Sequence, residues 1–470
     1  MHPLLLIVSL LAQAPAAPQS TTPPAPGETP AYYYLLGRHL ESEGQIEKAI
    51  AAHRRAIELE PQSAELRAAL AALYARQDRA LEAIDAAHAA LERDASNREA
   101  NRILGSIYAA YAEQKQPIRP GDDVSQYVAR AIASLEKTRG EVPDISVEFL
   151  LGRLYLQAKA YDKAIAALRR VADEQPGYGE GALLLSNALY ASGKPQEAIA
   201  PLENAVAENP RFYRGYVRLA ELYDEQRRPQ DAAAAYAAAQ ALNPRADFTA
   251  RRAASLLDAG EAQQALTLLQ DAAKRGKPDP AVLYLTAHAQ RRLKDFDGAA
   301  ATLDVFRKTF PDDVRALHLA ASVFQSKGDY VQAERALRDL LARDPKDANA
   351  LNSLGYMFAE RGERLDEAVE LLQRALKIDP DNPSYLDSLG WAYFRQGKID
   401  LADPPLTQAA AELPDNSEVL DHLGDLRFRQ KRYGDAVQAW EKALAGDGDD
   451  VDRPAIEKKL RDAKSRLRRD

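Results

Sequence analysis

The chain has 470 residues, of which 46% are hydrophobic and 28% charged, so it carries enough apolar side chains for a buried core and is not a disordered chain. It contains no cysteine, which excludes disulfides, thiolate metal sites and cysteine nucleophiles. Its 62 basic and 70 acidic residues give a net charge of -8, which argues against a nucleic-acid partner because a phosphate backbone requires a basic face.

The N-terminal segment differs in composition from the rest of the chain. Residues 4–11 form an apolar run that is too short to span a bilayer, which takes about 20 residues. An A-x-A pattern follows at 14–16, so we expect a signal peptide over 1–17 and then a linker rich in Pro, Thr and Ser over 18–29. Few positive charges precede the run, and the alternative is a disordered tail. No transmembrane segment is expected elsewhere.

From residue 30 onward the sequence repeats itself at steps of about 34 residues, with one longer step of 47. An alanine aligns the units, a small residue precedes it by about twelve positions, and a proline closes most of the units. The twelve units begin at residues 30, 64, 98, 145, 179, 213, 246, 280, 314, 348, 383 and 417.

Each unit contains two blocks of apolar residues at helical spacing. In the tenth unit Leu351, Leu354 and Phe358 form the first block, and Ala368 and Leu372 belong to the second. The small residues allow two helices to cross closely, and the proline ends the second helix. Neither helix can bury its apolar face alone, so the pattern predicts an all-α solenoid that is stabilised by stacking of its repeats.

Three segments share an L-x-x-L-G pattern, at 351–355, 386–390 and 420–424. This pattern resembles the first helix of the tetratricopeptide repeat (TPR) family, and the resemblance extends over about nine-tenths of the chain. Residues 348–444 are most similar to TPR proteins of the bacterial cell envelope. The resemblance implies an all-α TPR solenoid, a right-handed superhelix of about twelve helix-turn-helix repeats, with a concave groove that binds a peptide or a partner protein.

We therefore expect a TPR array over 30–450. An insertion near 112–126 in the third unit is either a tolerated surface insertion or a protruding contact element. The degenerate seventh unit predicts a joint between two halves. Pro404 and Pro405 predict that the second helix of the eleventh unit starts late or kinks.

The segment 451–470 predicts a basic capping helix with Ile456, Leu460, Ala463 and Leu467 on one stripe. An array needs such a cap because its last unit would otherwise expose an apolar end. The positive charge of this helix is also compatible with an anionic lipid or an acidic partner, but we expect a solvated cap, and the sequence does not support peripheral membrane association.

The sequence contains no pattern typical of an enzyme. None of the seven histidines lies in H-E-x-x-H, and neither a phosphate-binding glycine loop nor a G-x-S-x-G elbow is present. We therefore expect no catalytic residue, no metal and no cofactor.

The TPR resemblance implies that positions 2, 5, 9, 12 and 13 of each unit face the groove. Aromatic side chains with polar neighbours at such positions are typical of binding hot spots, although repeat packing is the alternative role for any one of them. The candidates in the last three units are Asn349, Asn352, Tyr356, Asp387, Trp391, Phe394, Arg395, Asp421, Asp425 and Phe428. A second, more basic stretch contains Tyr284, His288, Arg291, Arg292 and His318.

These observations predict a non-enzymatic interaction scaffold that binds a peptide or a partner protein, and we expect the scaffold to be exported to the periplasm or bacterial envelope. An adaptor for an envelope protease or a polysaccharide-assembly system, whose chemistry resides in the partner, is the alternative. A cytoplasmic scaffold is a third possibility.

Overall fold

A computed structural model of the protein describes residues 29–276, 278–446 and 451–468. These residues form 25 α-helices and one short 3-10 helix, and none of them lies in a strand. No helix of the described part is long and apolar enough to cross a membrane. The predicted signal peptide at 1–17 and all but the last residue of the predicted linker lie outside the described residues.

The helices divide into two compact units, which meet in sequence at Phe248 and Thr249. This division falls in the seventh repeat, where the sequence predicts a joint. The helices of the first unit are α1 (Pro30–Ser42), α2 (Ile46–Leu59), α3 (Ala64–Arg76), α4 (Ala80–Leu91), α5 (Arg98–Gln114), α6 (Tyr127–Glu136), α7 (Ile145–Gln157), α8 (Tyr161–Glu174), α9 (Gly179–Ala191), α10 (Ala200–Glu208), α11 (Tyr213–Glu225) and α12 (Pro229–Leu242).

The helices of the second unit are α13 (Thr249–Asp258), α14 (Ala262–Ala273), α15 (Pro280–Arg292), α16 (Phe296–Thr309), α17 (Arg315–Lys327), α18 (Tyr330–Arg343), α19 (Ala348–Arg361), α20 (Leu365–Ile378), α21 (Pro383–Arg395), α22 (Ile399–Glu412), α23 (Ser417–Arg429), α24 (Tyr433–Ala445) and α25 (Arg453–Leu467). Odd-numbered helices are the first helices of the repeats and even-numbered helices the second. The last one, α25, follows the twelfth repeat.

Within each unit the helices pack in the order of the chain. The two helices of every repeat contact each other, and each second helix packs against the first helix of the following repeat. Neighbouring first helices also contact each other directly, as α19 does α21 and α21 does α23. The fold class predicted from the sequence, an all-α solenoid of about twelve helix-turn-helix repeats with a C-terminal capping helix, is confirmed.

The first helices begin within one residue of the unit starts read from the sequence, with one exception. The exception is α13, which begins at Thr249, three residues after the predicted start at 246. It is also one of the shorter helices of the chain, with 10 residues.

The late start predicted for α22 is wrong. This helix begins at Ile399, and Pro404 and Pro405 lie inside it. Proline removes two backbone donors there, which disfavours a helix. On the same helix, however, Ala402 and Leu406 are completely buried, so packing against the neighbouring helices holds the segment in its helical conformation.

The insertion of the third repeat is fixed to the first unit by hydrogen bonds. The hydroxyl of the buried Tyr127 accepts a hydrogen bond from the backbone N–H of Ile118 at 2.9 Å and donates one to Asp122 at 2.6 Å. Arg119 forms an ion pair with Asp85 of the preceding repeat. These contacts hold the insertion against the neighbouring repeats.

The capping helix α25 packs against α24 with most of its predicted stripe. Ile456 and Ala463 are buried and Leu460 is partly buried, whereas Leu467, near the C-terminal end, stays 49% exposed. The helix thus covers the apolar side of the last repeat, as an array requires.

A small residue marks the point where the two helices of a repeat cross. A Cβ added to Gly355 would lie 2.7 Å from Cγ of Leu372 and 3.0 Å from the backbone oxygen of Ala368. At Gly390 it would lie 2.5 Å from Cγ of Leu406. Both distances are shorter than van der Waals contact allows, so glycine sets how closely these helices approach.

Gly355→Ala is therefore expected to destabilise the second unit by about 1–3 kcal/mol, because the added methyl group overpacks the crossing. Gly434→Ala is the matched control, since a Cβ there would first meet Leu467 at 3.9 Å. Alanine also favours a helix more than glycine does. Thermal unfolding followed by circular dichroism should show a lower melting temperature for Gly355→Ala only, and equal effects of the two substitutions would contradict the close crossing.

Candidate functional site

The first helices of the last three repeats, α19, α21 and α23, form one surface that we call the C-terminal face. Neighbouring members of this group are in contact, and their side chains connect one repeat to the next. The face consists of Asn349, Asn352, Tyr356, Glu360, Asp387, Trp391, Phe394, Arg395, Glu418, Asp421, His422, Asp425 and Phe428.

Trp391 lies at the centre of the face. Its ring stacks on His422 of α23, with 4.0 Å between ring centroids, and on Phe394, with 5.0 Å. The indole N–H donates a hydrogen bond of 2.8 Å to the carboxylate of Glu360 on α19. Because Trp391 is only 7% exposed, it positions its neighbours and offers little contact area of its own.

A buried ion pair lies beside the indole. Nδ1 of His422 is 3.0 Å from both carboxylate oxygens of Asp387, and both side chains are buried. Burial on its own lowers the pKa of His422, but Asp387, with support from Glu418 and Asp421, raises that pKa to about 9. The imidazole is therefore positively charged at neutral pH, which satisfies the rule that a buried charge needs a partner.

Tyr356 connects α19 directly to α23. Its hydroxyl donates a hydrogen bond to Glu418, 62 residues further along the chain, and so passes over the intervening α21. Its ring lies 6.2 Å from the ring of His422. Burial and the charge of Glu418 raise the pKa of Tyr356, so the hydroxyl keeps its proton and remains a donor.

The capping helix completes the face with a lysine. Nζ of Lys459 lies 2.9 Å from Asp421 and 2.7 Å from Asp425 of α23. Burial lowers the pKa of Lys459, but the two carboxylates outweigh this effect and raise it. Asp421 also accepts a hydrogen bond of 2.8 Å from the indole N–H of Trp440 on α24.

The remaining predicted residues of α19 and α21 also belong to the face. Asn349 is exposed and accepts a 2.7 Å hydrogen bond from the hydroxyl of Tyr385 on α21. Oδ1 of Asn352 is buried with no hydrogen-bond partner among the described residues. Arg395 donates a hydrogen bond of 2.6 Å to the backbone oxygen of Glu360, and its guanidinium lies 5.6 Å from the Trp391 ring centroid.

Phe428 lies at the far end of α23. Its ring packs against Tyr433 at 5.3 Å and Trp440 at 5.8 Å, and the guanidinium of Arg466 lies 4.9 Å above it. These partners belong to α24 and α25, so Phe428 contributes to the packing of the capping helix against the last repeat.

Four residues of this arrangement were not predicted from the sequence, namely Glu360, Glu418, His422 and Lys459. The position within the repeat could have identified three of these residues. Glu360 and Glu418 occupy positions 13 and 2 of their units, and Lys459 occupies position 9 of a thirteenth unit that would start at 451. His422 occupies position 6 and has no such signal, because only the packing of α21 on α23 brings it to Asp387.

The second predicted stretch, on α15 and α17, does not form one cluster. Arg291 lies 3.5 Å from Nε2 of His288, whose ring centroid is 6.3 Å from that of Tyr284. Burial, followed by the charges of the nearby arginines, lowers the pKa of His288. His318 points elsewhere and contacts Asp347, at the start of α19, at 2.8 Å. Arg292, the fifth residue of this stretch, instead donates a 3.0 Å hydrogen bond to the backbone oxygen of Leu257 on α13.

The comparisons with known proteins agree with this architecture. The family described as Tetratricopeptide repeat matches more than half of the chain, at residues 128–179, 183–247, 318–383 and 388–451. Two further TPR descriptions match residues 37–78 and 256–323. The chain belongs to the tetratricopeptide repeat family. TPR arrays support protein–protein interaction and are typically non-catalytic scaffolds.

Bacterial relatives match part of this TPR protein. A TPR repeat-containing protein of Pseudomonas aeruginosa is 39% identical over 153 residues, which are 32% of this chain and 26% of that protein. Bacteriophage adsorption protein A of Escherichia coli K12 is 32% identical over 146 residues, 31% of this chain and 14% of that protein. The TPR protein thus spans about a quarter or less of the length of either relative.

Among solved structures, the crystal structure of yeast Tom70 covers 93% of this chain and 96% of its own, with 15% sequence identity and a TM-score of 0.47.

The Asp387–His422 pair makes the stability of the TPR array depend on pH. The pKa of His422 is raised in the folded chain to about 9, from an ordinary value of 6.5. The stability from this pair is therefore fully present below about pH 6.5 and is lost as the pH rises through about 9. We expect the array to lose about 3 kcal/mol of stability between these two pH values. Thermal unfolding at a series of pH values should show this loss as a lower melting temperature. His422→Gln should remove this dependence, and an unchanged pH profile in that variant would contradict the charged pair.

Proposed function

We propose that this TPR protein is a non-enzymatic scaffold that binds a peptide segment or a partner protein on its C-terminal face, in the bacterial cell envelope. The observation that carries the proposal is the set of side-chain contacts that runs from α19 to α25 without a break. Such contacts fix the groups of the face before a partner arrives, so less conformational entropy is lost on binding.

The accessible groups of the face are of the types that interfaces use. Asn349, Glu360 and Glu418 are exposed, and Tyr356 and Phe394 are half-buried. Aromatic side chains surrounded by polar groups are enriched among residues that dominate binding energy. The buried Trp391 and Asp387 support this surface from below.

The envelope location rests on the N-terminal sequence. The apolar run at 4–11 and the A-x-A pattern at 14–16 are typical of a signal peptide. The resemblance of 348–444 to envelope TPR proteins points in the same direction. An adaptor for an envelope protease or a polysaccharide-assembly system is one form of this scaffold, and the identity of the captured partner distinguishes it.

Site-specific photocrosslinking in the cells that make the protein tests the binding face. A photoreactive amino acid at Asn349 or Glu360 lies on the face, whereas one at Glu370 of α20 or Leu401 of α22 lies on exposed second helices. We expect the first two positions to give at least about fivefold more adduct with a discrete partner, because the partner contacts first helices.

Equal yields from the four positions would contradict the binding face. The location is checked on the same adducts: recovery from the periplasmic fraction, with the N-terminus cleaved near residue 17, is expected. Adducts found in the cytosol with Met1 intact would contradict export.

A further inference from the structure

The carboxylates of the C-terminal face carry more negative charge than the face itself neutralises. We propose that this face recognises a lysine or arginine side chain in an extended segment of the partner. The inference rests on the proposed function and adds the chemical class of the partner.

Two exposed carboxylates of the face are held by neutral donors. Glu360 accepts its side-chain hydrogen bond from the indole N–H of Trp391, and Glu418 accepts one from the hydroxyl of Tyr356. Within the described residues neither carboxylate forms an ion pair, and the nearby Arg395 donates to a backbone oxygen. Both groups are therefore oriented by hydrogen bonds but keep their charge available to a ligand.

The net charge of the whole face is also negative. Five carboxylates of the face lie together with its two cationic groups and with Lys459 of α25, so two negative charges remain in excess. The carboxylates are Glu360, Asp387, Glu418, Asp421 and Asp425, and the cations are Arg395, His422 and Lys459. An excess of this kind attracts a cationic partner and disfavours an acidic one.

One contact within the protein shows how the face binds an ammonium group. Lys459 of α25 places Nζ between Asp421 and Asp425, at 2.9 and 2.7 Å. It lies 34 residues after Asp425, so it occupies the position that the next first helix would offer to the same surface. An ammonium held between two carboxylates by charge-assisted hydrogen bonds is thus a contact that this surface already makes.

Aromatic groups beside the free carboxylates suit the rest of such a side chain. Phe394 and Tyr356 are half-buried. Phe394 stacks on Trp391, which donates to Glu360, and Tyr356 donates to Glu418. The alkyl stem of a lysine or arginine packs on apolar surface while its charged head reaches a carboxylate. The face therefore offers both parts of the contact.

Peptides of defined charge test the proposal directly. The probes are three fluorescein-labelled peptides of glycine and serine with equal length, which carry three lysines, three glutamines or three glutamates, and fluorescence anisotropy with the full chain gives the affinities. We expect the lysine peptide to bind about tenfold more tightly than the glutamine peptide and the glutamate peptide most weakly. Added salt should weaken the lysine peptide selectively.

Removal of the two free charges should weaken binding without a change of shape. In the double variant Glu360→Gln, Glu418→Gln the amide oxygens can still accept from Trp391 and Tyr356, and we expect about tenfold weaker binding of the lysine peptide. The matched control is Glu370→Gln with Glu412→Gln, which removes two exposed charges from the second helices α20 and α22 and should leave the affinity unchanged.

Lys459→Met should act in the opposite direction. It frees Asp421 and Asp425 for the peptide, so we expect about threefold tighter binding of the lysine peptide. A variant that merely disturbed the fold would weaken binding instead, and circular dichroism checks that the helices remain.

Equal affinities for the lysine and glutamate peptides would overturn the proposal, as would an unchanged affinity in the Glu360 and Glu418 double variant. Weaker binding by a Lys459→Met variant whose circular dichroism spectrum and melting temperature match those of the wild type would also overturn it. If crosslinking from Asn349 and Glu360 succeeds while the lysine peptide binds no better than the glutamine peptide, the proposed scaffold is supported and the proposed cationic partner is contradicted.

Discussion

The crossing of the two helices within a repeat depends on a small residue, and this close approach determines where the other side chains of the first helix lie. At Gly355 and Gly390 the second helix occupies the space of a missing side chain. The apolar side of the first helix is buried there, and another side of it contacts the next first helix. The same packing that supplies stability thus places α19, α21 and α23 next to one another, and the proposed binding face is the surface that they share.

Polar groups hold this surface together, which is unusual for a stacking interface because buried polar atoms are costly unless they are paired. Asp387 and His422 satisfy each other, and Lys459 satisfies two aspartates. Such a network fixes one arrangement of the three helices, since any shift breaks several bonds at once. Stability and preorganisation of the candidate site are therefore two results of one set of contacts.

Periodicity made most of the fold predictable. A pattern repeated twelve times gave the helix starts, and it failed at α13, where the repeat is degenerate, and at α22, where burial of Ala402 and Leu406 outweighs the local effect of two prolines. The candidate site could be predicted less completely from the sequence. The sequence placed Tyr356, Trp391 and Asp387 on one surface through the TPR resemblance, but the reach of Tyr356 to Glu418 and the burial of Trp391 depend on how closely neighbouring helices pack, which no single repeat encodes.

A double-mutant cycle between Tyr356 and Glu418 tests most directly whether the last three repeats share one face. The cycle compares the unfolding free energies of the wild type, Tyr356→Phe, Glu418→Ala and the double variant, from denaturant titrations of the full chain. Because the hydroxyl of Tyr356 donates to Glu418 across α21, we predict a coupling free energy of about 1 kcal/mol. Strictly additive effects of the two substitutions would show that Tyr356 and Glu418 do not interact, and would contradict the face on which the proposed binding depends.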